Sequence, residues 1–284
     1  MKDMTNLAAI AALTLLTACS GGLYAPRVPA PPIPPGPPLP VEDLRATLAR
    51  GVDEDAGTVD YSALRADRAA LDRHVALVAV AGPQSTPALF PTPEHAKAYH
   101  LNAYNELVLH GVLSEDEDLT SVLDIGVMHA FFRRKRFRLD RRDVTLSTLE
   151  NDIIRPTYKD ARIHFAINCA SASCPALGAR PFVAAGLDDR LGEATRRFLA
   201  RDDAVAIDVP GKRVTLSKLF DWYRSDFADW PLRSGAPAPG SAVAFVAAHV
   251  SDDRRGQLEA ACGAAFDRCA VEHFDYDWSL NDRR

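Results

Sequence analysis

Arg162-Ile163-His164-Phe165-Ala166-Ile167-Asn168-Cys169-Ala170-Ser171-Ala172-Ser173-Cys174-Pro175 is the stretch on which fold and function turn. Ile163, Phe165, Ala166 and Ile167 make a short apolar run that ends in small polar residues, two cysteines and a proline, the pattern of a buried strand running out into a loop. An imidazole inside such a strand and a thiol at its end suit an active site at a sheet edge. That chemistry needs a thiolate held by an imidazolium or a helix N-terminus, a histidine oriented by a carboxylate or amide, and backbone N–H groups for the oxyanion. On a strand, however, His164 shares a face with Ala166 and Asn168 and not with Cys169. Cys174 ahead of Pro175 is therefore an equal candidate. Two other readings of the same residues stay open: a Cys169–Cys174 disulfide beside a core histidine, and a zinc set of His164, Cys169 and Cys174, whose spacing is unlike common zinc patterns.

Working outward, Ser147-Thr148-Leu149-Glu150 reads as a capping box opening a helix that Pro156 ends. Glu150 precedes the histidine segment closely enough to orient His164. A stronger helix is predicted over 92–113, with Thr92 as N-cap, Pro93 in the first turn and Glu94 on the positive end of the dipole. Tyr99, Leu101, Tyr104, Leu107, Val108 and Val112 make it apolar nearly all round, so it is expected to be buried. Its Asn102 and Asn105 share a face. They either tie down loop backbone or line a site.

Elsewhere, helices are expected at 41–50, 63–80, 187–200 and 242–250, and hairpins at 131–146 and 205–216. A Pro/Gly/Ser loop is expected at 232–241. Cys262 and Cys269 on one continuous helix would stand about 10.5 Å apart along its axis, beyond the ~7 Å that a bridge spans. They can pair only if the helix ends between them, as Gly263 allows. Helices first, then hairpins and a strand between helices, is an α+β order: a buried central helix packed on an antiparallel sheet.

The first 40 residues read differently. An apolar run over 7–16 is too short to span a membrane and leads into Leu16-Thr17-Ala18-Cys19-Ser20, which resembles the bacterial lipoprotein box with Cys19 as the lipidated residue. Ser20 then favours the outer membrane. Ala25 to Pro40 holds nine prolines, and such a run would form a stiff spacer of roughly 50 Å. The expected organisation is thus a signal peptide at 1–19, a proline-rich linker at 20–40 and one globular domain at 41–284.

A net charge of −5 argues against a nucleic-acid partner. No phosphate-binding glycine loop, dinucleotide fingerprint, nucleophile elbow or zinc-protease motif is present, and no cofactor or metal is expected.

Several motifs together carry a family resemblance: Asn102-Ala103-Tyr104-Asn105, Leu149-Glu150 with Ile154-Arg155, Arg162 to Cys169, Ser173-Cys174-Pro175, Trp222-Tyr223 with Asp226-Phe227, and Tyr276-Asp277-Trp278-Ser279-Leu280-Asn281. In this order they resemble the domain of unknown function 547 family from about residue 59 to 281. The resemblance implies a fold similar to papain-like or transglutaminase-like cysteine hydrolases. It marks Glu150, His164, Cys169 and Cys174 as site residues, with Asn102, Asn105, Asn168 and Ser173 as substrate-binding candidates. In those enzymes the nucleophilic cysteine starts the central helix, whereas here that helix carries Asn102 and Asn105 and no cysteine. The expected function is a lipid-anchored envelope hydrolase or acyl transferase on amide or ester bonds, with Cys169 or Cys174 as nucleophile, His164 as base and Glu150 as orienter. The alternative is a non-catalytic envelope module that binds a peptide or glycan in the same groove.

Overall fold

A computed structural model describes residues 22–127, 129–229 and 240–283. The expected signal peptide with Cys19, and most of the loop expected at 232–241, lie outside these residues. The chain enters on β1 (Leu23–Tyr24) and reaches α1 (Glu42–Gly51) through the proline-rich segment. A ribbon of β2 (Val52–Asp53) and β3 (Thr58–Val59) leads into α2 (Tyr61–Ala66) and α3 (Ala69–Val80). The Asp60 carboxylate, not Ser62, caps α2 by accepting from the Ala63 N–H at 2.7 Å.

The long helix α4 (Pro93–Val112) follows, then α5 (Ala130–Arg133) and the hairpin β4 (Arg136–Leu139) and β5 (Arg142–Thr145). Asp140 and Arg141 both take positive φ, 48° and 61°, the two-residue turn whose twist matches that of the strands.

A continuous helical run comes next: α6 (Leu146–Thr148), a π-helical Leu149–Ile154 and α7 (Arg155–Tyr158). Its cap is Thr145, whose Oγ1 accepts from the Thr148 N–H at 3.0 Å, so the expected capping box at Ser147 is displaced by two residues. Pro156 does not end the helix. The Arg155 N–H reaches back to the Glu150 carbonyl, and this widened turn accommodates a ring that would clash in regular α geometry.

The second half holds α8 (Leu187–Leu199), β6 (Val205–Asp208), β7 (Arg213–Leu216), α9 (Leu219–Trp222), α10 (Arg224–Asp229), α11 (Ala242–Ala247), α12 (Asp252–Cys262) and β8 (Ala270–His273). α12 ends at Cys262, with Gly263 at φ 77°, and Cys262 is bonded to Cys269.

The architecture is mixed α+β with several helices and small sheets. One antiparallel sheet was expected. Instead, among the described residues, the strands fall into three short sheets, and two of them contain a parallel pair, β1 with β4 and β7 with β8. The buried helix is α4, as its circumference predicts; it packs on α3 and on the π-helical turn. At Gly111 it passes so close to Phe131 that a Cβ would stand 2.7 Å from the ring.

The proline-rich segment does not stand free as a spacer, because both ends are tied to the domain. Tyr24 packs on Phe131 and Phe137, and the Ala25 carbonyl accepts from His110 Nε2 at 3.2 Å. Leu39 is buried, and the Pro40 carbonyl accepts from His74 Nε2 at 3.1 Å. Among the described residues no helix is long and apolar enough to cross a membrane.

The apolar residues form two cores. The first gathers α1 to α4, the β4–β5 hairpin and the start of α8. The second gathers the end of α8, β6, β7 and α9 to α12. The segment around His164 joins them, with Ile163, Ala166 and Ile167 in the first and Ala161 and Phe165 in the second.

Candidate functional site

His164 lies on a 3₁₀ turn, Ala161–Phe165, not on the expected strand. Asp160 is the cause. Its carboxylate accepts from the Arg162 backbone N–H at 3.1 Å, and its carbonyl accepts from the Ile163 N–H at 3.0 Å, an arrangement that competes with extended backbone. The same carboxylate binds Arg162 Nε and Nη2 at 3.0 and 2.9 Å and Lys97 Nζ at 2.5 Å. Burial alone would raise the Asp160 carboxyl, but Arg162 and Lys97 outweigh it and hold it at about 2. The helical backbone removes the strand-parity argument and leaves His164 at the seam between the two cores.

The His164 ring donates from Nε2 to Asp226 Oδ2 at 2.8 Å and stacks on Tyr223 at 4.0 Å and 25°. Arg155 holds the same Asp226 carboxylate with two hydrogen bonds, from Nε at 2.7 Å and Nη2 at 2.9 Å. Burial would raise the Asp226 carboxyl, yet the bonds from His164 and Arg155 keep it well below the usual carboxylate range. It stays ionised, so Nε2 is the protonated nitrogen. The histidine's carboxylate is therefore Asp226 and not Glu150. Glu150 receives the Tyr104 hydroxyl at 3.4 Å and the Tyr223 hydroxyl; burial first, and then Glu150, push the Tyr223 hydroxyl upward. Asp226, Arg155 and Tyr223 all stood in the family motifs but drew no role. Their signal was a pairing of oppositely charged side chains far apart in the chain, which spacing does not display.

Cys169 and Cys174 are joined by a disulfide, with Cα atoms 6.2 Å apart. Asn168 ties down the loop that the bridge closes. Its Oδ1 accepts from the Ala170 N–H at 2.8 Å, where Ala170 takes φ 63°, and its Nδ2 donates to the Pro175 carbonyl at 2.7 Å. Ser171 Oγ donates to the Tyr276 hydroxyl at 3.0 Å, which in turn lies 3.2 Å from Cys174 Sγ and 3.1 Å from Cys169 Sγ. Burial pushes the Tyr276 hydroxyl up to about 12, so it remains a donor.

The four residues expected to bind substrate are engaged with backbone. Asn102 exchanges two hydrogen bonds with Phe182, both at 2.8 Å. Asn105 donates to the Ala166 carbonyl at 2.9 Å and accepts from the Asn168 N–H at 2.8 Å. Ser173 Oγ accepts from the Asp277 N–H at 2.9 Å, and Asn168 acts as described above.

Glu150, His164, Cys169 and Cys174 nevertheless line one cavity of about 480 Å³ at the seam. Aromatic rings line the same cavity. Trp222 and Trp278 stack at 5.8 Å and 29°, and Tyr276 lies 4.8 and 4.6 Å from them. Trp222 keeps 43% of its surface exposed. Chemically, the cavity offers a histidine held in place by Asp226, a carboxylate under two phenols, an aromatic stack and a disulfide.

No curated protein and no solved structure matches the chain. A family model does match, over less than half of it. The matched part supplies Glu150, Arg155, His164 and both cavity cysteines; Trp222, Tyr223, Asp226, Tyr276 and Trp278 come from beyond it. Residues 90–199 match the family model described as "Protein of unknown function, DUF547".

Proposed function

We propose that the chain is an envelope binding module, lipid-anchored at Cys19 in the outer membrane, whose seam cavity takes a glycan. The observation that carries this reading is the pairing of Cys169 with Cys174 in the wall of a cavity that an aromatic stack also lines. The bond leaves neither sulfur available as a thiolate. A sugar ring offers an apolar C–H face to Trp222 and Trp278 and hydroxyls at its edge to Glu150, Asn151 and Arg155, all in the cavity wall. Pockets of this kind join apolar walls to a few placed polar groups.

Titration calorimetry with N-acetylglucosamine oligomers tests it. Trp222→Ala is expected to weaken binding by about tenfold or more without loss of stability, since that ring is half exposed. Binding of a soluble envelope stem peptide in place of the sugar would move the ligand class to peptides, and binding of neither would end the proposal. The anchor has its own test: Cys19→Ala should abolish incorporation of labelled palmitate and shift the protein from the detergent to the aqueous phase. Unchanged partitioning would remove the anchor.

A second reading rests on His164, held by Asp226, sharing a cavity with the sulfurs. Reduced by an external dithiol, Cys169 or Cys174 would attack an acyl carbonyl, with His164 taking the thiol proton and passing it to the leaving group; water would then release the acyl group. Only this reading calls for the papain-like or transglutaminase-like arrangement that the family resemblance implies. Ester hydrolysis that appears only with dithiothreitol, and is lost in Cys169→Ala or Cys174→Ala, would favour it over the binding module.

A further inference from the structure

A second cavity, of about 400 Å³, lies away from the seam. Val78 of α3, Leu89, Phe90, Ala98 and Tyr99 of α4, and Phe182 give it apolar walls, and the chain from Pro38 to Pro40 closes one side. Glu106 of α4 forms its floor and is fully buried at 0% exposure. One oxygen, Oε2, meets His74 Nδ1 at 2.5 Å. The other ring nitrogen, Nε2, points at the Pro40 carbonyl, which can only accept, so that nitrogen carries a proton. Burial works against a second proton on His74, but Glu106 outweighs it and the pKa is raised. At 2.5 Å the two side chains share one proton, and the pair carries no net charge.

The other carboxylate oxygen, Glu106 Oε1, has no hydrogen-bond partner among the described residues. Buried polar atoms in native proteins are satisfied by protein, water or ligand. Of the other polar side chains in the lining, Glu42 and Arg45 are exposed and His95 is half-buried beside Thr92 Oγ1 at 2.9 Å; the two others that are buried are occupied. Asn102 is spent on Phe182, and the Tyr99 hydroxyl on the Val78 and Ala81 carbonyls. The buried floor of the cavity thus holds one unmet acceptor, Glu106 Oε1. A cationic ligand would bring an uncompensated positive charge into the buried end of the cavity beside a pair that is already neutral, which is unfavourable. A neutral O–H satisfies the acceptor without that cost.

We infer that this cavity is a binding site for a small neutral hydroxyl compound with an apolar, ring-containing body, its O–H donated to Glu106. The inference is independent of what the seam cavity binds.

The test uses the whole protein and three probes: 2-phenylethanol, its methyl ether and 2-phenylethylamine. Affinities and sites are read from amide chemical-shift changes. The alcohol is expected to bind saturably, shifting the amides of Phe90, Ala98 and Phe182. The ether, which lacks the donor, is expected to bind about tenfold more weakly, the worth of one hydrogen bond to a charged acceptor, and the amine more weakly than the alcohol. Ala98→Met fills the cavity without touching Glu106 and should abolish binding while leaving the spectrum of the rest of the fold unchanged. Equal affinities for alcohol and ether would overturn the inference, and wild-type protein alone gives that comparison. So would shifts confined to other regions, no saturable binding of the alcohol, or a crystal structure of the soaked protein with only a water on Glu106 Oε1.

Discussion

Asp160→Ala is expected to destabilise the fold by about 3–5 kcal/mol, the cost of breaking a buried ion network from one side. Asp160, Lys97 and Arg162 are 6%, 8% and 5% exposed. The change leaves Lys97 and Arg162 short of the anion between them and removes the cap that sets the 3₁₀ turn carrying His164. Arg162 keeps its 2.6 Å contact with Asp188, which is why the figure is bounded. The same carboxylate should govern acid stability. Its folded-state pKa of about 2 lies below the ordinary value near 4, so its contribution is fully present above about pH 4 and is lost as pH falls toward 2. Two pK units correspond to roughly 2–3 kcal/mol. Urea unfolding of wild type and variant at neutral pH and again near pH 2.5 checks both points. The gap between them should be wide at neutral pH and narrow in acid. A neutral-pH difference below about 1 kcal/mol would show that the network is not holding the turn.

Asp226→Ala is expected to cost about 1.5–3 kcal/mol, the range for hydrogen bonds to charged groups. The Asp226 side chain is about a quarter exposed (24%), so solvent screening places the value toward the lower end. The sign of its pH dependence is that of Asp160: a depressed folded pKa gives stability present above about pH 4 and lost on acidification. The change also releases the His164 ring from its one orientation. Nitrogen-detected imidazole spectra should show wild-type His164 protonated at Nε2 and the variant a mixture of tautomers. If wild-type His164 is already a mixture, the Asp226–His164 pair is not fixed in solution and the second, catalytic reading loses its support.

These two carboxylates also mark where the sequence could and could not be read. The long α4, the hairpin at 205–216, α8 and the Cys262–Cys269 bridge conditional on Gly263 were legible, because periodicity, turn residues and helix geometry are local; the hairpin expected at 131–146 begins only at Arg136, the residues before it forming α5. The segment around His164 was not. Its apolar run suits a strand, but Asp160, two residues ahead of Arg162, recruits backbone N–H groups and a distant Lys97, and that tertiary pairing overrides the local pattern. The break at Pro156 failed for a related reason, since a π-helical turn is invisible to a rule about regular helices.

At the candidate site, Glu150, His164, Cys169 and Cys174 were singled out from residue types and motif order, and the fold places them around one cavity. The partner of His164 was misassigned because Glu150 is near in sequence while Asp226 is near in space. The asparagines Asn102, Asn105 and Asn168 illustrate the rule that a buried amide needs partners. Each found them in loop backbone, which is how the loop carrying the cysteines is held.

The central claim is that Cys169 and Cys174 form a bonded wall of a binding cavity and not a nucleophile. Alkylation of native protein, purified without reductant, with iodoacetamide at about pH 6, where only a low-pKa thiol reacts, followed by non-reducing peptide mapping, tests it directly. The account predicts no alkyl group on either cysteine and a peptide in which Cys169 and Cys174 remain linked. Alkylation of Cys169 or Cys174 in the native protein, diminished in His164→Ala, would contradict it and identify a histidine-activated thiol.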